Sequence, residues 1–110
     1  MKFHEFGDKE NQHIMLIHGG GNSWWNYLRQ AKALSKEYHV ILPTLDGHGE
    51  EYNTEYVSTI DSAQKLISYI NQNCNGQLFL LCVSSDTLWS PLTTLYNRQL
   101  FHKKSTIISQ

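Results

Sequence analysis

One segment, residues 13–25, limits what this chain can fold into more than any other. The unbroken apolar run over residues 14–17 predicts a central strand over residues 13–17 that is buried on both faces of a sheet. His18 and the glycines of residues 19–21 follow, and a helical pattern begins directly behind them. A glycine turn of this kind leaves backbone N–H groups uncovered at the sheet edge, beside the positive end of a helix. The segment therefore predicts a place for an anion, or for an oxygen that becomes negative during a reaction.

Three further strands are predicted from short apolar or alternating runs. Residues 2–6 suit an edge strand, residues 39–42 a buried strand, and residues 78–83 a second buried strand. Pro43 is expected to end the strand before it or to place that strand at a sheet edge.

Two helices are predicted from apolar stripes at helical spacing. The first begins behind Asn22 or Ser23, either of which can cap it, and the second behind a Ser58-to-Asp61 capping box; Asn75-Gly76 is a stop signal. The first stripe comprises Trp24, Leu28, Ala31, Leu34 and Tyr38, and the second comprises Ile60, Ala63, Ile67, Ile70 and Cys74.

Strands and helices alternate in the order strand, helix, strand, helix, strand. Right-handed crossovers between such strands give a mostly parallel sheet covered by helices, so we expect an α/β sandwich of three layers. Sites in open sheets of this class form beyond the carboxyl ends of the strands. Three polar loops, residues 18–21, 44–50 and 84–86, are therefore predicted to meet at one edge.

Composition narrows the possible partners. The 110 residues carry a net charge near −1 with no basic run, which argues against nucleic acid or an acidic membrane as a partner. No apolar run reaches the 18 or so residues of a membrane span. Cys74 and Cys82 fit a reduced protein, and cytoplasm is the expected location. His4, His13 and His39 lack metal-ligand spacing, so no metal is expected.

The three loops resemble those of the α/β-hydrolase family over roughly residues 2–85. His18-Gly19-Gly20-Gly21 is similar to the family's oxyanion loop, and Asp46-Gly47-His48-Gly49-Glu50 is similar to its next loop. The strand of residues 78–83, followed by Ser84, stands where the family's strand runs into its nucleophile elbow. The expected fold is therefore an incomplete α/β-hydrolase-like sandwich.

The resemblance implies a serine hydrolase that cleaves an ester, thioester or amide of a small-molecule substrate without a cofactor. Ser84 is the implied nucleophile, and the N–H groups of Ser85 and of Gly20 or Gly21 are the implied oxyanion donors. His18 and Gly19 are expected to orient the loop, His18 by hydrogen bonding more than as a base. Trp24 and His48 are candidate substrate contacts.

The chain departs from the family pattern at the elbow. Cys82-Val83-Ser84-Ser85-Asp86 stands in place of Gly-x-Ser-x-Gly, and the Asp86 carboxylate would oppose a nearby oxyanion. His102 matches no family position, so no triad assembles from matched residues. We expect a truncated or frame-shifted product that is inactive alone, with residues 1–86 as the hydrolase-like part. Residues 87–110 then form a divergent tail with one short helix, beginning at Ser90-Pro91.

Several alternatives remain open. Cys82 is a rival nucleophile, although a thiol within an apolar strand is normally inert. The glycine triplet could be a plain tight turn. It does not match the dinucleotide-binding motif Gly-x-Gly-x-x-Gly, because Trp24 stands where the third glycine of that motif would be. In a second functional class, the chain is a non-catalytic remnant or binding module that keeps the glycine-loop pocket. Self-association through the exposed edge of residues 78–83 is expected unless the tail covers it.

Overall fold

Five strands in the described part of the chain form one sheet. A computed structural model describes residues 1–74 in full, together with the backbone of residues 78–83 and 106–109. The strands are β1 Lys2–Phe6, β2 His13–Ile17, β3 His39–Thr44, β4 Leu78–Val83 and β5 Thr106–Ser109. The bounds predicted for β1, β2 and β4 are confirmed, because each is an apolar or alternating run with polar or glycine residues at its ends.

The sheet has the order β1-β3-β2-β4-β5 and is mostly parallel. β2 pairs parallel to both β3 and β4, and β4 pairs parallel to β5. β1 alone runs antiparallel, along the outer side of β3. The parallel strands therefore have their carboxyl ends at one edge, which we call the carboxyl edge, and β1 begins there.

Within residues 1–74, two α-helices, one on each face of the sheet, complete three layers, so the predicted sandwich is confirmed. A 3-10 turn over Trp24–Tyr27 leads into α1, Leu28–Leu34, and a longer helix α2 spans Thr59–Asn73. The Ser58 hydroxyl accepts a hydrogen bond from the Asp61 N–H at 3.0 Å, which confirms the predicted cap of α2.

Each face of the sheet has its own core, set by the alternation of side chains along the strands. The core under α2 contains Met15, Ile17, Ile41, Leu45, Ala63, Leu66, Ile67, Ile70 and Cys74. The core under α1 contains Ile14, Leu16, Ala31, Val40 and Leu42, with Trp24 packed against it. Every residue of β2 and β3 is buried, as a strand between two helical layers requires.

Three details of the sequence prediction are wrong. Pro43 neither ends β3 nor places it at an edge of the sheet, because it lies inside β3 and pairs with Phe3 of β1. The pairing of β3 with β2 extends only to Ile41, so the missing N–H of Pro43 interrupts no pair on that side. Ile60 is 57% exposed, and Leu66 replaces it in the buried stripe of α2. The predicted stripe of the first helix runs on to Tyr38, whereas α1 ends at Leu34, where the Ser35 hydroxyl donates a hydrogen bond to the Lys32 carbonyl in the last turn.

The tail supplies a strand to the same sheet. β5 pairs with β4 from Leu80↔Thr106 to Val83↔Ser109, so it lies along the edge of β4. The strand was not predicted, because four residues of mixed polarity carry too little pattern to mark one. The short helix predicted from Ser90-Pro91 lies outside the described residues, and the division of the chain after residue 86 stays a prediction.

Candidate functional site

Three chain segments meet at the carboxyl edge. Residues 18–23 follow β2, residues 45–58 follow β3, and β4 ends at Val83, which pairs with Ile17 at the end of β2. Ser84 and Ser85 come next in the sequence but lie outside the described residues, so their roles stay predictions. The first two predicted loops are thus brought to the same edge, beside the end of the third strand.

The glycine turn keeps two backbone donors available. The Asn22 N–H donates to the Gly19 carbonyl at 3.2 Å, which closes the turn, and Gly21 has a φ of +77° that favours glycine. Gly20 and Gly21 are exposed, and within residues 1–74 their N–H groups have no backbone acceptor. Uncommitted N–H groups beside the start of a helical segment are suited to an oxyanion or a bound anion.

His18 joins this turn to the second loop. Its ring is fully buried; Nδ1–H donates to the Gly19 carbonyl at 2.8 Å, and Nε2 accepts from the Leu45 N–H at 3.1 Å. Burial lowers the pKa of His18, so the ring is neutral, as the pattern of one donor and one acceptor requires. With both nitrogens engaged, His18 has no lone pair left for a substrate proton.

The Asp46 carboxylate connects the start of the second loop, residues 45–58, to α2 and to Met1. Its carboxylate is fully buried and accepts hydrogen bonds from the Lys65 ammonium of α2 and from the amino group of Met1. Burial alone would raise the pKa of Asp46, but these two donors outweigh it and hold the pKa below its ordinary value. The ionised carboxylate therefore fixes where the loop leaves β3.

The outer half of this loop is held from β1. Glu50 accepts hydrogen bonds from His4 Nε2 at 2.6 Å and from the Thr44 hydroxyl at 3.0 Å. Burial, the largest cause, raises the pKa of Glu50, but the hydrogen bonds from His4 and Thr44 and the nearby positive charge together outweigh it and lower the pKa. His4 also stacks on Trp24, with ring centroids 3.9 Å apart, so β1 and the start of the first helical segment support the loop together.

The two loops touch at Ser23 and Gly49. A Cβ atom added to Gly49 would lie 2.3 Å from the Ser23 hydroxyl oxygen and 2.8 Å from its Cβ atom, far inside contact distance. Gly49 also has a φ of +45°. Only glycine allows this approach, and it brings the second loop against the start of the first helical segment.

Both candidate substrate contacts, Trp24 and His48, are half-buried. His48 is half-buried, its Nδ1–H donates to the Asp46 carbonyl at 3.0 Å, and its ring lies 5.2 Å from that of His18. Trp24 is half-buried against the core, whereas Trp25 is 54% exposed and lines a surface groove of about 610 Å³ along α1. This groove contains none of the site residues predicted from the sequence.

Sequence reasoning missed the supporting residues. Asp46 and Glu50 were noted only as part of a loop pattern, and Lys65 was not singled out at all. Apart from Thr44, their partners lie 19 to 46 positions away, so no local spacing could have marked them. Within residues 1–74 and the two further strands, no group of three metal-ligating side chains is present, and neither helix is long and apolar enough to cross a bilayer.

Comparison with solved structures extends these observations, whereas no known protein-family profile matches the chain. The fold is similar to that of a protein from Desulfitobacterium hafniense ascribed to the α/β hydrolase family, with 19% identity, a TM-score of 0.74, and coverage of 99% of this chain and 44% of that one. It is also similar to a thermophilic esterase from Thermogutta terrifontis, with 18% identity and a TM-score of 0.68 over 98% of this chain and 39% of that one.

A third similar structure is 1H-3-hydroxy-4-oxoquinoline 2,4-dioxygenase, with 18% identity and a TM-score of 0.77 over 96% of this chain and 40% of that one. At such identities the likeness concerns the fold, and the dioxygenase shows that one fold carries more than one chemistry. The chain has the α/β-hydrolase fold and spans less than half the length of these three proteins.

Proposed function

We propose that this chain is part of a serine hydrolase that cleaves an ester, thioester or amide through an acyl intermediate on Ser84. In this proposal the Ser84 hydroxyl oxygen attacks the substrate carbonyl, its proton passes to a general base that none of the matched residues supplies, and main-chain N–H groups of Gly20, Gly21 and Ser85 stabilise the resulting oxyanion. The substrate is a small molecule, no cofactor takes part, and the cytoplasm is the proposed location.

One observation carries the proposal. β2 and β4 are adjacent and parallel, and Ile17 pairs with Val83, so the two strands that the glycine turn and Ser84 follow in the sequence end at neighbouring positions. A nucleophile at the end of one strand and oxyanion donors at the end of the next is the arrangement that acyl transfer needs. The uncommitted N–H groups of Gly20 and Gly21 support it further.

The similar structures give partial support. One is named an esterase, and others are named a membrane phospholipase A and an epoxide hydrolase of Klebsiella pneumoniae. Hydrolysis is therefore common among proteins of this shape. The names of these proteins do not identify the substrate of this chain.

A non-catalytic binding module is the second candidate, and His18 favours it. Both ring nitrogens of His18 are engaged within the loops, so this residue cannot activate a serine. A protein without that activation would still present the glycine turn to an anion. The serine would then be an ordinary loop residue.

A fluorophosphonate probe separates the two candidates. Labelling of the purified, folded chain that disappears in Ser84→Ala and persists in Cys82→Ala supports the hydrolase assignment, because the thiol is the rival nucleophile. Absence of labelling in a sample that melts cooperatively contradicts the hydrolase assignment for this chain and supports the binding module. Labelling that is lost only in Cys82→Ala moves the nucleophile to the cysteine.

The origin of the irregular elbow has its own test. Reading the other two frames of the DNA downstream of the Cys82 codon should reveal Gly-x-Ser-x-Gly followed by further strand and helix patterns. If neither frame encodes them, the frame-shift hypothesis fails.

A further inference from the structure

The exposed large apolar side chains of residues 1–74 all lie at the carboxyl edge. One begins the helical segment behind the glycine turn, and the others lie in the loop after β3 or in the first turn of α2. Single exposed apolar side chains are ordinary on a protein surface, but a group of them at one edge marks a place of contact with an apolar ligand or partner. We call this group the apolar rim; its members are Trp25, Tyr52, Tyr56, Val57 and Ile60.

One part of the rim lies where the two loops of the candidate site touch. A Cβ atom on Gly49 would lie 3.4 Å from the ring of Trp25, so this ring lies beside the second loop. The Tyr52 N–H donates to the Gly49 carbonyl at 3.2 Å, which brings Tyr52 to the same point. Trp25 and Tyr52 are 54% and 73% exposed, so both side chains are available to a ligand there.

Another part of the rim is joined to the glycine turn through two histidine rings. The Tyr56 ring meets that of His48 edge to face, with centroids 6.3 Å apart. The His48 ring lies 5.2 Å from that of His18, whose Nδ1–H donates to the Gly19 carbonyl. A ligand whose carbonyl lies at the glycine turn therefore has Tyr56 within reach of a short chain.

The charges of the loops at this edge are of one sign. Residues 44–60 contain four acidic residues and no lysine or arginine, and residues 18–28 contain none of these four residue types. Glu50 and Glu55 are exposed, and Glu55 directly precedes Tyr56 in the chain. A negatively charged ligand group beside the rim would therefore be repelled.

The lysines that act on these carboxylates come from outside the two loops. Lys2 of β1 acts on Glu50, and Lys65 of α2 forms ion pairs with Asp46 and Asp61. Each ammonium group thus has a carboxylate of its own chain as its partner, which leaves the edge suited to an uncharged apolar group.

We propose that the apolar rim binds an uncharged apolar chain of the substrate, and that the acidic residues beside it exclude a chain with a negative charge. The inference deepens the proposed function and rests on it for the position of the substrate carbonyl, at the N–H groups of Gly20 and Gly21. Among esters, thioesters and amides, it favours those with a neutral apolar chain over those that carry phosphate or carboxylate groups. Tyr56 and Trp25 are the residues that determine this specificity.

Two matched ketones test the binding without turnover. 2-Decanone is neutral, and 9-oxodecanoate is the same methyl ketone with a carboxylate in place of the terminal methyl group. In NMR titrations of the full chain at low salt, we expect 2-decanone to shift the amides of Tyr56 and Val57 and the indole of Trp25. We expect 9-oxodecanoate to bind about tenfold more weakly. The amides of Gln30 and Lys32, in the groove along α1, should not shift.

Three variants make the test specific. Tyr56→Ala should weaken the binding of 2-decanone by about tenfold, because the chain loses an aromatic contact, whereas Tyr56→Phe keeps the ring and should bind as the original chain does. Glu55→Gln should strengthen the binding of 9-oxodecanoate by about two- to threefold and leave that of 2-decanone unchanged. All three substitutions are at exposed positions.

The proposal is overturned if 2-decanone shifts the groove along α1 but not the rim, if Tyr56→Ala and Tyr56→Phe bind it equally, or if 9-oxodecanoate binds as tightly. Fluorophosphonate labelling distinguishes this failure from that of the proposed function. Ketone binding at the rim without labelling contradicts hydrolysis and leaves the rim as the ligand site of a binding module. Labelling of Ser84 without ketone binding at the rim contradicts the present inference alone.

Discussion

At the scale of single residues, the described part of the site depends on side chains that hold the two loops in position and take no part in a reaction. His18 ties the two loops with one donor and one acceptor, and Asp46 ties the second loop to α2 through Lys65. Both are fully buried polar groups with partners, which is the condition under which such groups stabilise a fold. Removing either would leave its partners without hydrogen bonds in the interior.

We expect His18→Gln to lower the free energy of unfolding by about 1–3 kcal/mol at pH 7.5, because the Leu45 N–H and the Gly19 carbonyl lose well-placed partners. Burial keeps the pKa of His18 below the value of about 6.5 that it has when unfolded. The unfolded chain therefore binds more protons, and the contribution of the neutral ring, present in full above about pH 6.5, is lost as pH falls.

Urea denaturation from pH 5 to 7.5 checks this prediction. The difference between the original chain and His18→Gln should shrink toward pH 5, and the variant should keep a weaker slope that comes from His13. A difference that is constant over this range would mean that His18 has the same pKa in both states.

The residues at the first loop could be anticipated from the sequence, and those that support the second could not. His18 and the glycines are adjacent in the chain, so one short pattern contains them. Asp46 is buried because Lys65 and Met1 reach it from elements far away in sequence. Such contacts depend on how β1 and α2 are placed on the sheet, which no local pattern encodes.

At the scale of elements, the site consists of two turns pressed together. Gly21 and Gly49 both have a positive φ, but their surroundings differ. A Cβ atom on Gly21 would have nothing within 4 Å, whereas one on Gly49 would overlap Ser23. The two glycines therefore separate the cost of backbone strain from the cost of a steric clash.

We expect Gly21→Ala to destabilise the chain by about 1 kcal/mol through backbone strain alone. Gly49→Ala should cost about 1–3 kcal/mol more, because the second loop must move away from Ser23. Chemical denaturation of both variants measures the difference, and NMR shifts of the Ser23 amide should change in Gly49→Ala only. Equal destabilisation would show that the loops can separate without penalty.

The strands were predictable and the details of the helices were less so. Unbroken apolar runs bounded by polar residues located β2 and β4, since strands buried on both faces need that pattern. The register of α2 was misjudged at Ile60, because the first turn of a helix often projects beyond the core. The first helical segment starts as a 3-10 turn in which the Asn26 side chain accepts from the Ser23 N–H at 2.9 Å, and helical spacing alone cannot distinguish this from an α-helix.

At the scale of the whole molecule, the order of strands determines which surfaces need cover. β4 is central in the described sheet because β5 pairs along it, and β1 and β5 are the two edges. The pairing covers the strand edge for which self-association was expected. The tail therefore has a structural role regardless of what the chain catalyses.

We expect the double variant Ile107→Pro/Ile108→Pro to expose the edge of β4 and to promote association. Consecutive N–H groups of a strand alternate in direction, so two prolines remove the donor to β4 whichever residue supplies it. Size-exclusion chromatography with light scattering should show larger species, whereas Ile107→Thr/Ile108→Thr, which keeps both N–H groups, should elute as the original chain does. Unchanged elution of the proline variant would mean that β5 is dispensable for covering β4.

The contact between Ser23 and Gly49 has a consequence for anyone who redesigns this protein. Ser23 and Gly49 are in contact with no spare volume between them, so a larger side chain at either position displaces the other turn. Libraries that randomise residue 23 while holding residues 47–50 constant would discard most of their members through misfitting. Diversifying both turns together, with compensating small and large residues, gives such an effort room to succeed.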